Sequence, residues 1–260
     1  MKYTDTHAHY DDPRFDGDRD SLLKTLHETD CDKIFNIGCT LERTELSRLL
    51  ADEYDFISFA AGIHPSDAPE TQEADVNWLN KIESAAKHPK CIGIGEIGLD
   101  FFGDYYIPKL HHDIQVDFFR RQIELAIRIN KPVIIHSRDA AEETVNILRD
   151  YPGLRGQVHC FSYSKEIAEI LVKMGFYISL TGVITFKNAK KAVETAAFLP
   201  TDRLLLETDC PYMSPEPLRG KRNDSGNIRY IIKKLAEIKG MSEDEIIRVT
   251  NQNVKELFDV

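Results

Sequence analysis

Near the amino terminus of this 260-residue chain stands Asp5-Thr6-His7-Ala8-His9. In extended backbone, side chains two apart leave the same face, so the two imidazoles can aim at one point just beyond a strand end. Two imidazoles at one point suggest a metal. Later in the chain His64, Glu96, His136, His159 and Asp209 each stand where an apolar run passes into Gly, Pro, Ser or Asp. Imidazole with carboxylate and no thiolate suits a hydrolytic Zn, Mn or Mg centre with open positions, whereas a closed structural zinc site is expected to use cysteines. His7, His9, Glu96, His136, His159 and Asp209 are too many ligands for one catalytic ion that must also hold water. Two divalent cations sharing a bridging carboxylate, ~3.5–4 Å apart, fit the count better.

Such residues meet only if the fold brings distant segments to one place. Short β-branched or apolar runs predict strands at Lys2–Thr6, Lys33–Ile37, Ile57–Ala61, Cys91–Ile94, Val133–Ile135, Gln157–His159, Tyr177–Leu180 and Leu204–Leu206. Amphipathic stretches between them predict helices at Arg19–Thr29, Glu42–Glu53, Asp75–Ala86, Asp113–Asn130, Ala141–Leu148, Lys165–Met174 and Ala189–Phe198. Two more follow near Ile228–Lys239 and Glu243–Phe258, the last opened by a capping-box pattern, Ser242 with Glu245. Strand and helix in alternation predict parallel strands with crossover helices, and eight such units suit a single-domain (β/α)8 TIM-type barrel over residues 1–260. An open, doubly wound sheet is the main rival. In a barrel all carboxyl ends of the strands share one face, and active sites lie there.

Composition narrows the classes. The chain is 42% hydrophobic and 29% charged, an ordinary globular balance, with no run of about eighteen apolar residues to span a membrane. Met1-Lys2-Tyr3-Thr4-Asp5 lacks the apolar run and cleavage site of a signal peptide. Cys31, Cys39, Cys91, Cys160 and Cys210 are widely spaced without C-x-x-C, as expected of reduced, mostly buried thiols in a cytoplasmic protein. With 33 Lys+Arg against 43 Asp+Glu, the net charge of −10 argues against coating nucleic acid by charge alone. A local basic rim is still compatible with that total.

Six segments carry a family resemblance. Asp5-Thr6-His7-Ala8-His9, Gly62-Ile63-His64-Pro65, Gly95-Glu96-Ile97-Gly98-Leu99-Asp100, Ile135-His136-Ser137-Arg138, Val158-His159-Cys160-Phe161-Ser162 and Glu207-Thr208-Asp209-Cys210-Pro211-Tyr212 resemble, in order and spacing, the motifs of the TatD family of metal-dependent deoxyribonucleases. The resemblance implies a barrel of the amidohydrolase superfamily, two divalent cations (Mg, Mn or Zn) and hydrolysis of DNA phosphodiesters. By position, it makes His7, His9 and Asp209 ligands of one ion and His136 and His159 ligands of the other, with Glu96 as the bridge. The residue chemistry agrees, because a carboxylate offers two oxygens and an imidazole seldom serves two ions. Asp209 stands where the family has the residue that takes a proton from water, so Asp209 and Glu96 are the expected catalytic pair.

Around this centre, the resemblance makes His64 a substrate-facing histidine. Arg138, with its planar fork, can reach a phosphate. Lys187, Lys190 and Lys191, and Arg219, Lys221 and Arg222, are two basic clusters expected at the active face, with Arg219 and Lys221 the chosen phosphate contacts. The family reads R-G-x-x-N-x-P around the second cluster, and Asn223-Asp224-Ser225-Gly226 departs from it by lacking the proline. Phe102, Tyr105 and Tyr106 could stack on a base or cap the barrel. Asp5 and Glu207 are candidates for buried supporting carboxylates. The leading expectation is a deoxyribonuclease that trims single-stranded DNA from its 3′ end, a monomer with no membrane contact. Its rivals are a metal-dependent ester or amide hydrolase, such as an aminoacyl-tRNA deacylase or lactonase, and a non-catalytic nucleic-acid or protein adaptor.

Overall fold

The chain is described from a computed structural model covering residues 1–103 and 106–260. Eight strands form one parallel sheet in sequential order: β1 (Tyr3–Ala8), β2 (Cys31–Ile37), β3 (Ile57–Ala61), β4 (Cys91–Asp100), β5 (Val133–Arg138), β6 (Gly156–Val158), β7 (Tyr177–Leu180) and β8 (Leu204–Leu206). The sheet closes on itself just past β8. Asp209 N–H donates to His7 O at 2.9 Å and His9 N–H to Cys210 O at 2.8 Å, with a parallel bridge between Ala8 and Cys210. The architecture is the (β/α)8 barrel, not the open sheet.

Outside the barrel run α1 (Arg19–Thr29), α2 (Leu41–Glu53), α3 (Ala68–Ala74), α4 (Trp78–Ala86), α5 (Pro108–Arg128), α6 (Ala141–Arg149), α7 (Lys165–Lys173), α8 (Lys190–Phe198), α9 (Ile228–Lys239) and α10 (Glu243–Phe258). Local chemistry sets their ends. Thr40 caps α2 by accepting from Arg43 N–H, Pro108 occupies the first turn of α5, and Gly240 ends α9 at φ 64°. Ser242 and Glu245 make the expected reciprocal capping box on α10. Trp78 is buried and stacks on Phe118 at 4.1 Å, joining α4 to α5.

Several boundaries differ from expectation: α5 begins at Pro108 rather than Asp113, and β5 runs to Arg138 rather than Ile135. The helix predicted over Asp75–Ala86 is α4, which starts only at Trp78, and α3, which was not predicted, precedes it; the extended Asp75, at φ −148°, ends α3. Strand β4 continues six residues beyond Ile94, so Glu96 lies within the strand rather than after it. Its glycines permit this. A Cβ on Gly95 would lie 2.6 Å from Ile134 Cβ, and Gly98 adopts φ 145°, where a Cβ would fall 1.9 Å from His136 O.

Helix α10 lies across the amino ends of β1 and β8. Asn251 exchanges hydrogen bonds with Thr4 N–H and Lys2 O, and Asn253 donates to Leu204 O. Leu257 and Phe258 pack there with Phe35, Ile92, Ile134 and Leu205. These side chains plug the amino end of the barrel, and the candidate donors lie at the other. No helix among the described residues is long and apolar enough to cross a membrane.

Candidate metal centre

At the carboxyl end of the strands, a cleft of about 560 Å³ is lined by His9, His64, Glu96, His136, His159 and Asp209. His7 lies beneath them, fully buried. A hollow of similar size between α5 and α6 holds none of these donors. Segments separated by up to two hundred residues thus supply one site, as the barrel requires.

Glu96 divides the donors into two groups. Its Oε2 lies 3.3 Å from His7 Nε2 and 3.9 Å from His9 Nε2. Those two nitrogens are 3.2 Å apart, and Asp209 Oδ1 is 3.4 Å from His9 Nε2 and 3.9 Å from His7 Nε2. Its other oxygen, Oε1, lies 2.7 Å from His159 Nε2 and 2.8 Å from His136 Nδ1, which are 3.1 Å from one another. The His7 and His159 rings stack at 4.0 Å, holding the two groups side by side.

These spacings fit a cation in each group. Ligand atoms about 2.0–2.1 Å from one ion lie roughly 2.9–4.2 Å from each other in tetrahedral or octahedral arrangement, and the two shortest separations, both to Glu96 Oε1, need widen only slightly to admit one. Two imidazole nitrogens 3.2 Å apart can share at most one proton between them, so an ion satisfies both lone pairs better than a hydrogen bond does. The charges point the same way. Burial opposes ionisation of Glu96, yet the surrounding imidazoles, His159 first, hold it well below the usual carboxylate range. Burial likewise opposes protonation of His159, but Glu96 and Glu207 pull it well above the ordinary histidine value. His9 is raised in the same way against burial, by Cys39 and Asp209, and His136 by Asp100 and Glu96. Protons on these rings supply the positive charge that a buried carboxylate pair demands and that cations would supply instead.

Neighbouring groups orient the donors. His9 Nδ1 is 3.0 Å from Ile37 O, which aims Nε2 at the cleft. Asp100, buried at the end of β4, accepts from His136 Nε2 at 3.0 Å, and Gln115 clamps its backbone with bonds of 2.9 and 3.0 Å. Sequence reasoning assigned Asp100 no role, although a spacing of four from Glu96 along a strand marks the same face. Cys39 was also missed: its Sγ lies 3.5 Å from Glu96 Oε2 in the cleft wall, where burial pushes the thiol up to about 12. The five cysteines are all free thiols.

Of the expected substrate contacts, His64 sits against the second group. Its Nε2 is 3.5 Å from Glu96 Oε1 and its Nδ1 is 2.7 Å from Ser66 Oγ, and burial, with His136 nearby, lowers it to about 3. Arg138 lines the cleft and stacks over Phe102 at 3.5 Å. Arg219 and Lys221 are exposed and outside the lining, with Arg219 packed over Phe186 at 4.4 Å. Lys187, Lys190 and Lys191 do not line it either. Arg222 is engaged elsewhere, paired with Asp18 at 2.6 and 2.7 Å. Tyr106 stacks on Phe101, and Tyr105 falls outside the described residues.

Known proteins are similar to this chain along nearly its whole length. The family model described as TatD related DNase matches residues 4–259. An uncharacterized metal-dependent hydrolase of Bacillus subtilis, YabD, is 41% identical over 260 residues, covering 98% of each chain. The 3′-5′ ssDNA/RNA exonuclease TatD of Shigella flexneri is 31% identical over 254 residues, 95% of each chain. Among solved structures, the TatD homologue YjjV of Escherichia coli superposes with a TM-score of 0.90 at 32% identity, over 99% of this chain and 98% of that one. The chain is a metal-dependent hydrolase and belongs to the TatD-related DNase family.

Proposed function

We propose that this protein is a two-metal phosphodiesterase that removes nucleotides from the 3′ end of single-stranded DNA. The observation that carries the reading is the division of Glu96, one oxygen toward His7, His9 and Asp209 and the other toward His136 and His159. Two divalent cations held there would lower the pKa of water toward ~7 and neutralise charge on the reacting phosphoryl oxygens. The nitrogen-rich donor set favours Zn or Mn over Mg.

The chain's own groups do the rest. Asp209, at the cleft floor, takes the proton of the attacking water on a carboxylate oxygen. His64 and Arg138, on the cleft wall, hold non-bridging phosphate oxygens, and Arg138 is kept extended by Phe102. Arg219 and Lys221, farther out, would meet only the trailing backbone. Likeness to the Shigella exonuclease supports the direction of degradation. The protein is expected to act as a cytoplasmic monomer.

The test is a 5′-labelled single-stranded oligonucleotide incubated with protein reconstituted with Mn, Zn or Mg. A ladder shortening from the 3′ end, abolished by EDTA and by Asp209→Asn, is the expected result. A metal-loaded protein that leaves DNA intact while cleaving a carboxylic ester or amide would overturn it.

A further inference from the structure

At the lip of the cleft, beside His9, one aromatic ring is exposed yet fixed. Tyr212 is 47% exposed, lines the cleft, and stands edge to face with the His9 ring at 6.4 Å between centroids. Its amide donates to Asp209 O at 2.8 Å, and its carbonyl accepts from Asn223 Nδ2 at 2.7 Å. Asn223 is buried and bonded also to Thr208 O. The Arg14 guanidinium covers the ring, 4.3 Å from its centroid. Arg14 is itself gripped by the buried Asp12, through Nε at 2.8 Å and Nη2 at 2.9 Å. With its charge matched by Asp12, Arg14 braces the ring rather than offering a free phosphate site. The backbone, the arginine and the histidine together hold Tyr212, and the rest of its surface stays open.

We propose that Tyr212 is the platform on which the base of the departing nucleotide stacks while its phosphate lies at the metal centre, an inference that rests on the nuclease reading above. The separation from His9 is of the order of one nucleotide's span from phosphate to base. A tyrosine with two torsions, already braced, loses little freedom on binding and presents a face any base can cover. This gives the site a preference for nucleotides without a preference among bases. An ester or amide substrate lacking a base has no use for the ring.

The experiment is a cycle between enzyme and substrate. Wild type, Tyr212→Phe and Tyr212→Leu, each metal-reconstituted, are assayed on a single-stranded deoxyoligonucleotide and on the same strand with its 3′-terminal base replaced by hydrogen. With the intact strand, Tyr212→Leu should raise KM about tenfold with little change in kcat, and Tyr212→Phe should stay within about twofold. With the abasic strand all three proteins should agree. Equal losses on both strands, no loss on either, or a Phe variant as impaired as Leu would overturn the platform. Thermal midpoints and metal contents equal to wild type exclude misfolding as the cause. If wild type cleaves neither strand, the nuclease reading falls and takes the platform with it; cleavage indifferent to Tyr212 sinks the platform alone.

Discussion

Two pairs of buried carboxylates lie near the top of this barrel, and their partners set them apart. Asp5 accepts from Thr208 Oγ1 at 2.6 Å, Ser225 Oγ at 2.7 Å, Thr208 N–H at 3.0 Å and His7 N–H at 3.3 Å. Glu207 accepts from Gln157 Nε2 at 2.8 Å, from Ser179 Oγ and from Cys160 N–H. Hydroxyl and amide protons supply most of the hydrogen bonds to these oxygens, and they tie β1 to the segment after β8 and β6 to β7; His159 Nδ1 also lies 3.7 Å from Glu207 Oε1, on the ring nitrogen not turned to Glu96. Glu96 and Asp209 are instead surrounded by ring nitrogens. A ring nitrogen beside a carboxylate must hold a proton or share a cation. The first pair therefore stabilises the fold, and the second organises charge. Burial alone does not make a carboxylate a ligand; the kind of donor facing it does.

Substitutions in the two pairs should separate the two roles. Glu96→Gln keeps the shape and removes the charge, so turnover should fall on the order of a thousandfold. Elemental analysis should then find at most one cation per chain, while the metal-stripped protein melts within a few degrees of wild type. An active Glu96→Gln protein with a full complement of metal would erase the distinction.

Asp5→Ala should give the opposite pattern. It strands several buried donors, at a cost of roughly 3 kcal/mol, which for a chain of this size lowers the melting midpoint by about 6–12 °C. Metal stoichiometry should survive. Loss of metal with an unchanged midpoint would place Asp5 among the charge-organising groups.

Asp100 stands between the pairs, a buried acid that reaches the second donor group through His136. Asp100→Asn should weaken the second cation about 10–100-fold in a calorimetric titration and leave the first unaffected. Equal weakening of both would contradict the division of donors at Glu96.

The smallest effects belong to the rim. Arg138→Ala should raise KM for DNA several-fold, whereas Arg219→Ala and Lys221→Ala, outside the cleft lining, should stay within about threefold and chiefly flatten the salt dependence. A larger loss at Lys221 than at Arg138 would move the substrate path outward.

Much of this was legible in the chain itself. Alternating runs and helical stretches sufficed for the barrel, because each strand is short, apolar and followed by a helix. Six spaced residues sufficed to foresee which side chains meet in the cleft, since strand ends of a barrel must share a face. What escaped was local. Gly95 and Gly98 read as the end of a strand, but here they let β4 approach its neighbours too closely for a Cβ, and so Asp100 passed unnoticed four residues beyond Glu96. Helix α3, which ends at the extended Asp75, went unpredicted because its seven residues are too few to show a helical period. Cys39 approaches Glu96 across the barrel top, fifty-seven positions away, which spacing cannot reveal. The basic clusters were placed at the active face because they follow strands, yet a position after a strand does not fix how far from the axis a loop carries its side chains.

Anomalous diffraction from crystals soaked in Mn would show whether Glu96 joins two cations. Two anomalous peaks ~3.5–4 Å apart are expected, one beside His7, His9 and Asp209 and one beside His136 and His159, with a different oxygen of Glu96 reaching each. A single peak, or two peaks with Glu96 bound to only one, would contradict the bridging role of Glu96.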